Sequence, residues 1–147
     1  MNKIGLKKRV KGRFSFLSCS LGIVYLWFGA LKFFPGVSPA EELASETIAL
    51  LTFDLLDTRL SLVLLAIWEC ALGLFLLFNV LRRITVPFAM FHILLTFSPL
   101  ILLPAEVFTA GPLILTLTGQ YIIKNFIIVA VLFTLWDTRK VNPVTTS

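Results

Sequence analysis

Four apolar runs, each about as long as a bilayer is thick, constrain this chain more than any other feature in it. They are FSFLSCSLGIVYLWFGALKFF at 14–34, LSLVLLAIWECALGLFLLFNVL at 60–81, ITVPFAMFHILLTFSPLILL at 84–103 and TGQYIIKNFIIVAVLFTLW at 118–136. In hydrocarbon a backbone has to satisfy its own N–H and C=O groups, which a helix does within one segment. The fold expected is all-α, a bundle of four transmembrane helices. Composition agrees: 58% of the 147 residues are hydrophobic, above the apolar share of a soluble domain. A basic start before the first run suggests a signal peptide. The run exceeds the 7–15 residues of a signal core, however, and Lys32-Phe33-Phe34-Pro35 interrupts it before a cleavage site at Ser38-Pro39-Ala40. It reads as a retained first helix.

The charge distribution excludes one class of partner and sets an orientation. Net charge is +5, but six of the thirteen Lys and Arg fall in the first thirteen positions: Lys3, Lys7, Lys8, Arg9, Lys11 and Arg13. No basic motif is interleaved with aromatics, so nucleic acid is not expected as a partner. Arg82-Arg83 lies between spans two and three, and Arg139-Lys140 follows span four. The link between spans one and two is mostly acidic, with Glu41, Glu42, Glu46, Asp54 and Asp57 against Arg59. The link between spans three and four holds Glu106 and neither Lys nor Arg. Basic segments stay on the cytoplasmic side, which predicts both termini there. The chain then divides into a basic N-terminus at 1–13, a membrane domain at 14–136 and a tail at 137–147.

The connecting segments carry signals of their own. Ser38-Pro39-Ala40-Glu41 reads as a capping box with proline at the first helical position. Ala40, Ala44, Ile48, Leu51 and Leu55 then recur near helical spacing, which predicts a short amphipathic helix on the outer surface, an anchor or a lid. Pro87 is tolerable in a first helical turn, whereas Pro99 should kink the third span or end its regular part early. The segment 105–117 is apolar for a free loop and broken by Gly111 and Pro112, so it is a candidate to dip back into the membrane surface. The end, VNPVTTS, reads as disordered.

The polar residues inside the spans are the candidates for function. At ~1.5 Å per residue, Lys124 lies ~9 Å below the outer boundary and Glu69 ~14 Å below it, with His92 about as deep. Lys32 falls near the outer end of span one, and Gln120 and Glu106 at the outer mouth. A charge in hydrocarbon costs from ~2.5 to over 10 kcal/mol, so Glu69 needs a balancing group. Lys124 is the partner this counting selects, with Gln120 and Asn125 supplying amide hydrogen bonds, although Asn125 points ~100° away from Lys124. Two readings stay open at this point: an ion pair that fixes helix order, or a polar pocket open to the outside. Lys32 taken alone is a lysine that snorkels to the interface. His92, the one histidine, gains interest from Thr96 one turn away. Trp27, Phe28 and Trp68 could wall a pocket for a flat ring. Cys19 and Cys70 form no C-x-x-C pair, which argues against thiol–disulfide chemistry and against a thiolate metal site. No metal ligand set is evident.

Three stretches, WFGALKFFPG on span one, Glu69-Cys70-Ala71-Leu72-Gly73 on span two and GQYIIKNFIIVA on span four, together resemble the DoxX-like family of small four-helix membrane proteins. The resemblance covers most of 20–136. It implies a bacterial inner-membrane protein, and points at Gly29, Lys32, Glu69, Gly73, Lys124 and Asn125. Named members of the family are associated with thiosulfate:quinone oxidoreduction or with membrane oxidoreductase assemblies. With no C-x-x-C pair or haem ligands here, a redox role would rest on a bound quinone or a partner subunit. The expected functional set is Glu69 and His92 for proton transfer, with Lys32, Gln120, Lys124 and Asn125 for ligand binding. No cofactor is evident beyond a possible quinone. The alternative is a non-catalytic accessory subunit, lipid binder or small transporter whose buried charges are structural.

Overall fold

The computed structural model of the chain describes residues 3–38, 41–109, 111 and 113–137, with side chains in the first helix at 12 and from 14 onward. The described residues are all helix and turn apart from one isolated bridge. In order they form α1 (Lys3–Leu31), α2 (Glu41–Thr52), α3 (Thr58–Leu77), α4 (Arg82–Leu95), α5 (Pro99–Leu102), α6 (Pro104–Val107) and α7 (Leu117–Asp137). Four stretches are long and apolar enough to cross a membrane: Phe14–Leu31, Thr58–Leu77, Arg82–Leu102 and Leu117–Asp137. The first span extends without a break into the basic N-terminal segment. Arg139-Lys140 and the terminal VNPVTTS lie outside the described residues.

The antiparallel pair of α1 and α3 is the backbone of the bundle. Its closeness comes from residues with little or no side chain. A Cβ on Gly22 would lie 2.6 Å from the Leu77 amide nitrogen, and one on Gly29 would lie 2.9 Å from the Glu69 Cβ. On the other helix a Cβ on Gly73 would meet the Leu26 backbone at 2.7 Å. Small residues let backbones approach closely where lipid offers no hydrophobic drive to associate. Ser18 adds a polar tie, its hydroxyl donating to the Leu76 carbonyl at 2.8 Å.

This register has an unexpected consequence. Gly29 lies beside Cys70, and from there α3 runs on ~18 Å to Thr58 while α1 ends two residues later at Leu31. The first helix therefore stops part-way up the bundle. The chain turns at 32–38, where Gly36 takes a left-handed φ of 72°. The Arg59 guanidinium holds this turn by donating to the Phe33 carbonyl at 2.7 Å. Helix α2 follows and packs on α3 and α5.

Details of the connections differ from the expectations. Pro39 and Ala40 lie outside the described residues. The Glu41 carboxylate accepts from the Gly36 amide at 2.7 Å, not from Ser38, and the Ser38 hydroxyl has no partner among the described residues. Helix α2 turns Thr47 inward, with Ala44 and Ile48 half-buried beside it, whereas Leu51 and Leu55 are exposed. Ala44 and Ile48 of the expected apolar stripe thus face the protein, while Leu55 falls outside the helix, which ends where Phe53 and Asp54 adopt left-handed conformations. Asp57 caps α3, its carboxylate accepting from the amides of Arg59 and Leu60 at 3.0 and 3.2 Å.

The third span breaks where proline predicted. Regular α4 ends at Leu95, and a turn leads into Pro99 at the start of α5. Beyond α6, Phe108 and Leu115 pair as an antiparallel bridge, and Thr116 returns its amide to the Val107 carbonyl at 2.9 Å. This segment satisfies much of its own backbone. It is pressed against α7, since a Cβ on Gly119 would collide with the Val107 carbonyl.

The dry core lies toward the end of the bundle that carries Arg82. Leu21, Leu72, Leu76, Val86, Leu132 and Leu135 are buried there, with Phe14, Leu17, Ile128 and Val131 packed against them. The opposite end, the α2 end, is built from α3, α7 and short pieces.

Candidate functional site

The polar cluster forms where α1 stops. Lys32, the first residue past α1, turns its ammonium onto Glu69 of α3, with Nζ 2.6 Å from Oε2. A cation suits this place, because a helix C-terminus carries partial negative charge, and the same Nζ lies 3.4 Å from the Phe28 carbonyl. The other Glu69 oxygen, Oε1, is 3.4 Å from Nε2 of His92 on α4. His92 Nδ1 in turn lies 3.3 Å from the Tyr25 hydroxyl, which also lies 3.2 Å from the Ala89 carbonyl. Lys32, Glu69, His92 and Tyr25 therefore form one unbroken chain across α1, α3 and α4. Their exposures are 5%, 7%, 8% and 5%, so the chain is closed off in this structure.

Depth follows from two independent counts. Glu69 lies ~16 Å along α3 from Thr58, and His92 ~15 Å along α4 from Arg82. Both values fall near the middle of a hydrocarbon core ~30 Å thick. Lys32, bonded to Glu69, shares that level. The expectation of a snorkelling Lys32 is corrected: the side chain turns inward, 5% exposed, and its ammonium is held by Glu69.

Lys124 is corrected too. It does not reach Glu69; it is exposed, with its ammonium 5.0 Å from the Tyr121 ring centroid. Tyr121 is one turn nearer the start of α7, so the long side chain climbs toward the α2 end as lysines near helix ends do. Gln120 is also exposed, on the same outward part of α7. Asn125 does face inward, half-buried, and its Nδ2 donates to the Thr96 hydroxyl at 3.0 Å. Thr96 passes its own hydrogen to the Ile93 carbonyl at 2.7 Å. One turn of helix separates this Thr96–Asn125 pair from His92. The structure thus joins Lys32, Glu69 and His92, sets Asn125 beside them, and leaves Gln120 and Lys124 outside.

The expected aromatic wall does not form. Trp27 is 67% exposed and helps line an apolar hollow of about 310 Å³ with Ile23, Leu26, Ala30 and Leu31 of α1 and Phe34 of the turn after it. Trp68 packs edge-on against Phe88, with ring centroids 5.5 Å apart, and covers the seam between α3 and α4.

Tyr25 is the member that reading the motifs missed. A signal for it exists in the sequence: Ser18, Gly22, Tyr25, Gly29 and Lys32 recur at alternating intervals of four and three. That is one face of a helix, and every other residue on it is small or polar. The face opposite is Leu62, Ala66, Glu69, Gly73 and Leu76, spaced in the same way.

The cluster can hold a proton without leaving a partner unsatisfied. With a neutral imidazole, Nε2–H donates to Glu69 and Nδ1 accepts from the Tyr25 hydroxyl. With an imidazolium both ring nitrogens donate, and the Tyr25 hydrogen moves to the Ala89 carbonyl, which is already within reach. Lys32 also retains capacity. An ammonium has three hydrogens, and among the described residues Nζ meets the Glu69 carboxylate and, at longer range, the Phe28 carbonyl. Set against models of protein families, curated proteins and solved structures, the chain has no match.

Proposed function

We propose that this chain is a multi-pass protein of the bacterial inner membrane, of the DoxX-like kind, with both termini cytoplasmic. In this reading it binds an amphiphile through a hydrogen-bond acceptor on its head, for which a quinone carbonyl is the reference case. Lys32 offers its third N–H to that acceptor. Glu69, His92 and Tyr25 hold a proton next to it, and electrons, where the chemistry needs them, come from a partner membrane subunit. The observation that carries this reading is the four-membered polar chain at mid-depth, spread over three helices. A structural pin needs two charges; four titratable groups in series, in hydrocarbon, mark a working site by default. The sidedness rests on the basic segments at the N-terminus, at Arg82-Arg83 and at Arg139-Lys140.

A second reading has a specific observation behind it. Both Glu69 oxygens already have partners within the protein, which is what an ion pair locking the turn at 32–38 to α3 would look like. Mass spectrometry of small molecules that co-purify with the protein separates the two. The ligand reading expects a defined amphiphile in the wild type and in Lys124→Met, and its loss in Lys32→Met and Tyr25→Phe. Bulk phospholipid alone in all four would leave the structural pin as the better account.

A further inference from the structure

We infer that the buried cluster is reached from the α2 end alone, along the seam between α4 and α7 that Thr96 and Asn125 close. The chain therefore serves one face of the membrane and carries nothing through it. This deepens the proposed reading, on which it rests for the cluster being a ligand site.

Toward the Arg82 end the way is shut by packing. Below Tyr25 and His92 lie Leu21, Leu72, Leu76, Val86, Leu132 and Leu135, each 5% exposed or less. The α1–α3 seam is closed by backbone contact at Gly22 and Gly73, and the one polar side chain on it there, Ser18, spends its hydrogen on the Leu76 carbonyl. A dense apolar layer of this kind holds no water, because an apolar void offers it no hydrogen bonds.

Toward the α2 end the construction is the opposite. Two of the four spanning helices lose their regular form at or just beyond the level of the cluster, α1 at Leu31 and α4 at Leu95. The next polar groups after His92 along α4 lie on this side: Thr96 with Asn125, both half-buried. Phe97 and Phe126 flank them with ring centroids 4.8 Å apart, and Phe126 is exposed. The Thr96–Asn125 hydrogen bond and the Phe97–Phe126 contact close this seam beside buried Ile93 and Ile122. Both contacts break by rotamer changes, whereas the layer below is packed from all four spanning helices. On the Arg82 side the buried hydroxyls of Ser18 and Thr85 are spent on backbone carbonyls, whereas the half-buried Thr96–Asn125 pair stands within one turn of His92.

The test is cysteine accessibility in membranes of known sidedness. In a background with Cys19→Ala and Cys70→Ala, single cysteines are placed above the cluster at Thr96→Cys and Asn125→Cys, and below it at Val86→Cys and Leu132→Cys. Exposed reporters mark the two faces: Leu55→Cys for the α2 end and Phe78→Cys for the Arg82 end. The probe is a small, charged, membrane-impermeant methanethiosulfonate. The expected result is that Thr96→Cys, Asn125→Cys or both react from the Leu55 face, and that Val86→Cys and Leu132→Cys stay unreacted from the Phe78 face. Reaction of either lower position from the Phe78 face overturns the inference, as does silence at both upper positions from the Leu55 face. Two positions at each level keep the test decisive if one variant does not fold. Labelling reads access, not ligand, so failure here and failure of the co-purification experiment are separate results.

Discussion

At the residue scale, the distinction between Lys32 and Lys124 is the most informative result. Both are lysines near the end of an apolar run, and counting depth from the run's edge assigned the wrong one to Glu69. The count placed each side chain by its own run alone, whereas α1 ends beside Glu69 and the chain turns there. Hydropathy reports how apolar a segment is, not where its neighbour's glycines set it. Two predictions follow at this scale. Lys32→Met leaves the Glu69 carboxylate buried without its cation and should cost about 3–5 kcal/mol of stability, while the double variant Lys32→Met, Glu69→Leu should recover much of it. Thermal unfolding in detergent checks this, and Lys124→Met is the control expected to sit near the wild type. Tyr25→Phe removes a hydroxyl with two partners and should cost about 0.5–1.5 kcal/mol, a loss small enough to leave the fold intact while the proton chain is cut.

Elements were more legible than contacts. All four spans, and the break at Pro99, follow from run length and proline chemistry, because those causes are local. The inward turn of Thr47 on α2 and the position of Tyr25 were not legible in that way, since each depends on what a partner helix presents. The glycines of α1 and α3 carry that information in the structure. Gly22→Ala drives a Cβ into backbone atoms of α3, and Gly29→Ala drives one into the Glu69 Cβ and the Cys70 amide. Each should destabilise the protein by about 1–3 kcal/mol, as overpacking does. Gly29→Ala, being at the level of the cluster, should in addition weaken ligand retention in the co-purification assay. Gly12→Ala meets nothing within 4 Å and should change neither property.

The whole molecule is two different objects stacked end to end: a regular four-helix bundle around leucines near Arg82, and a mosaic of short pieces near α2. Hydrogen exchange should reflect this. Amides of α3 and α4 between Leu72 and Ala89 that lie within the helices should be the slowest to exchange, and those of α2, α5 and α6 the fastest among the helices, because local opening follows the density of buried apolar contact. Uniform protection along the bundle would contradict the division. The place where the first helix ends also bears on biogenesis. As the chain leaves the ribosome, α1 enters the bilayer with Lys32 at its end and no counter-ion, for Glu69 has not yet been made. The first helix can take its final depth only once the third arrives, so the α1–α3 hairpin is the earliest unit able to stand on its own. A released chain truncated before Glu69 should therefore hold α1 at a shallower depth, with Lys32 at the surface, than the finished protein does.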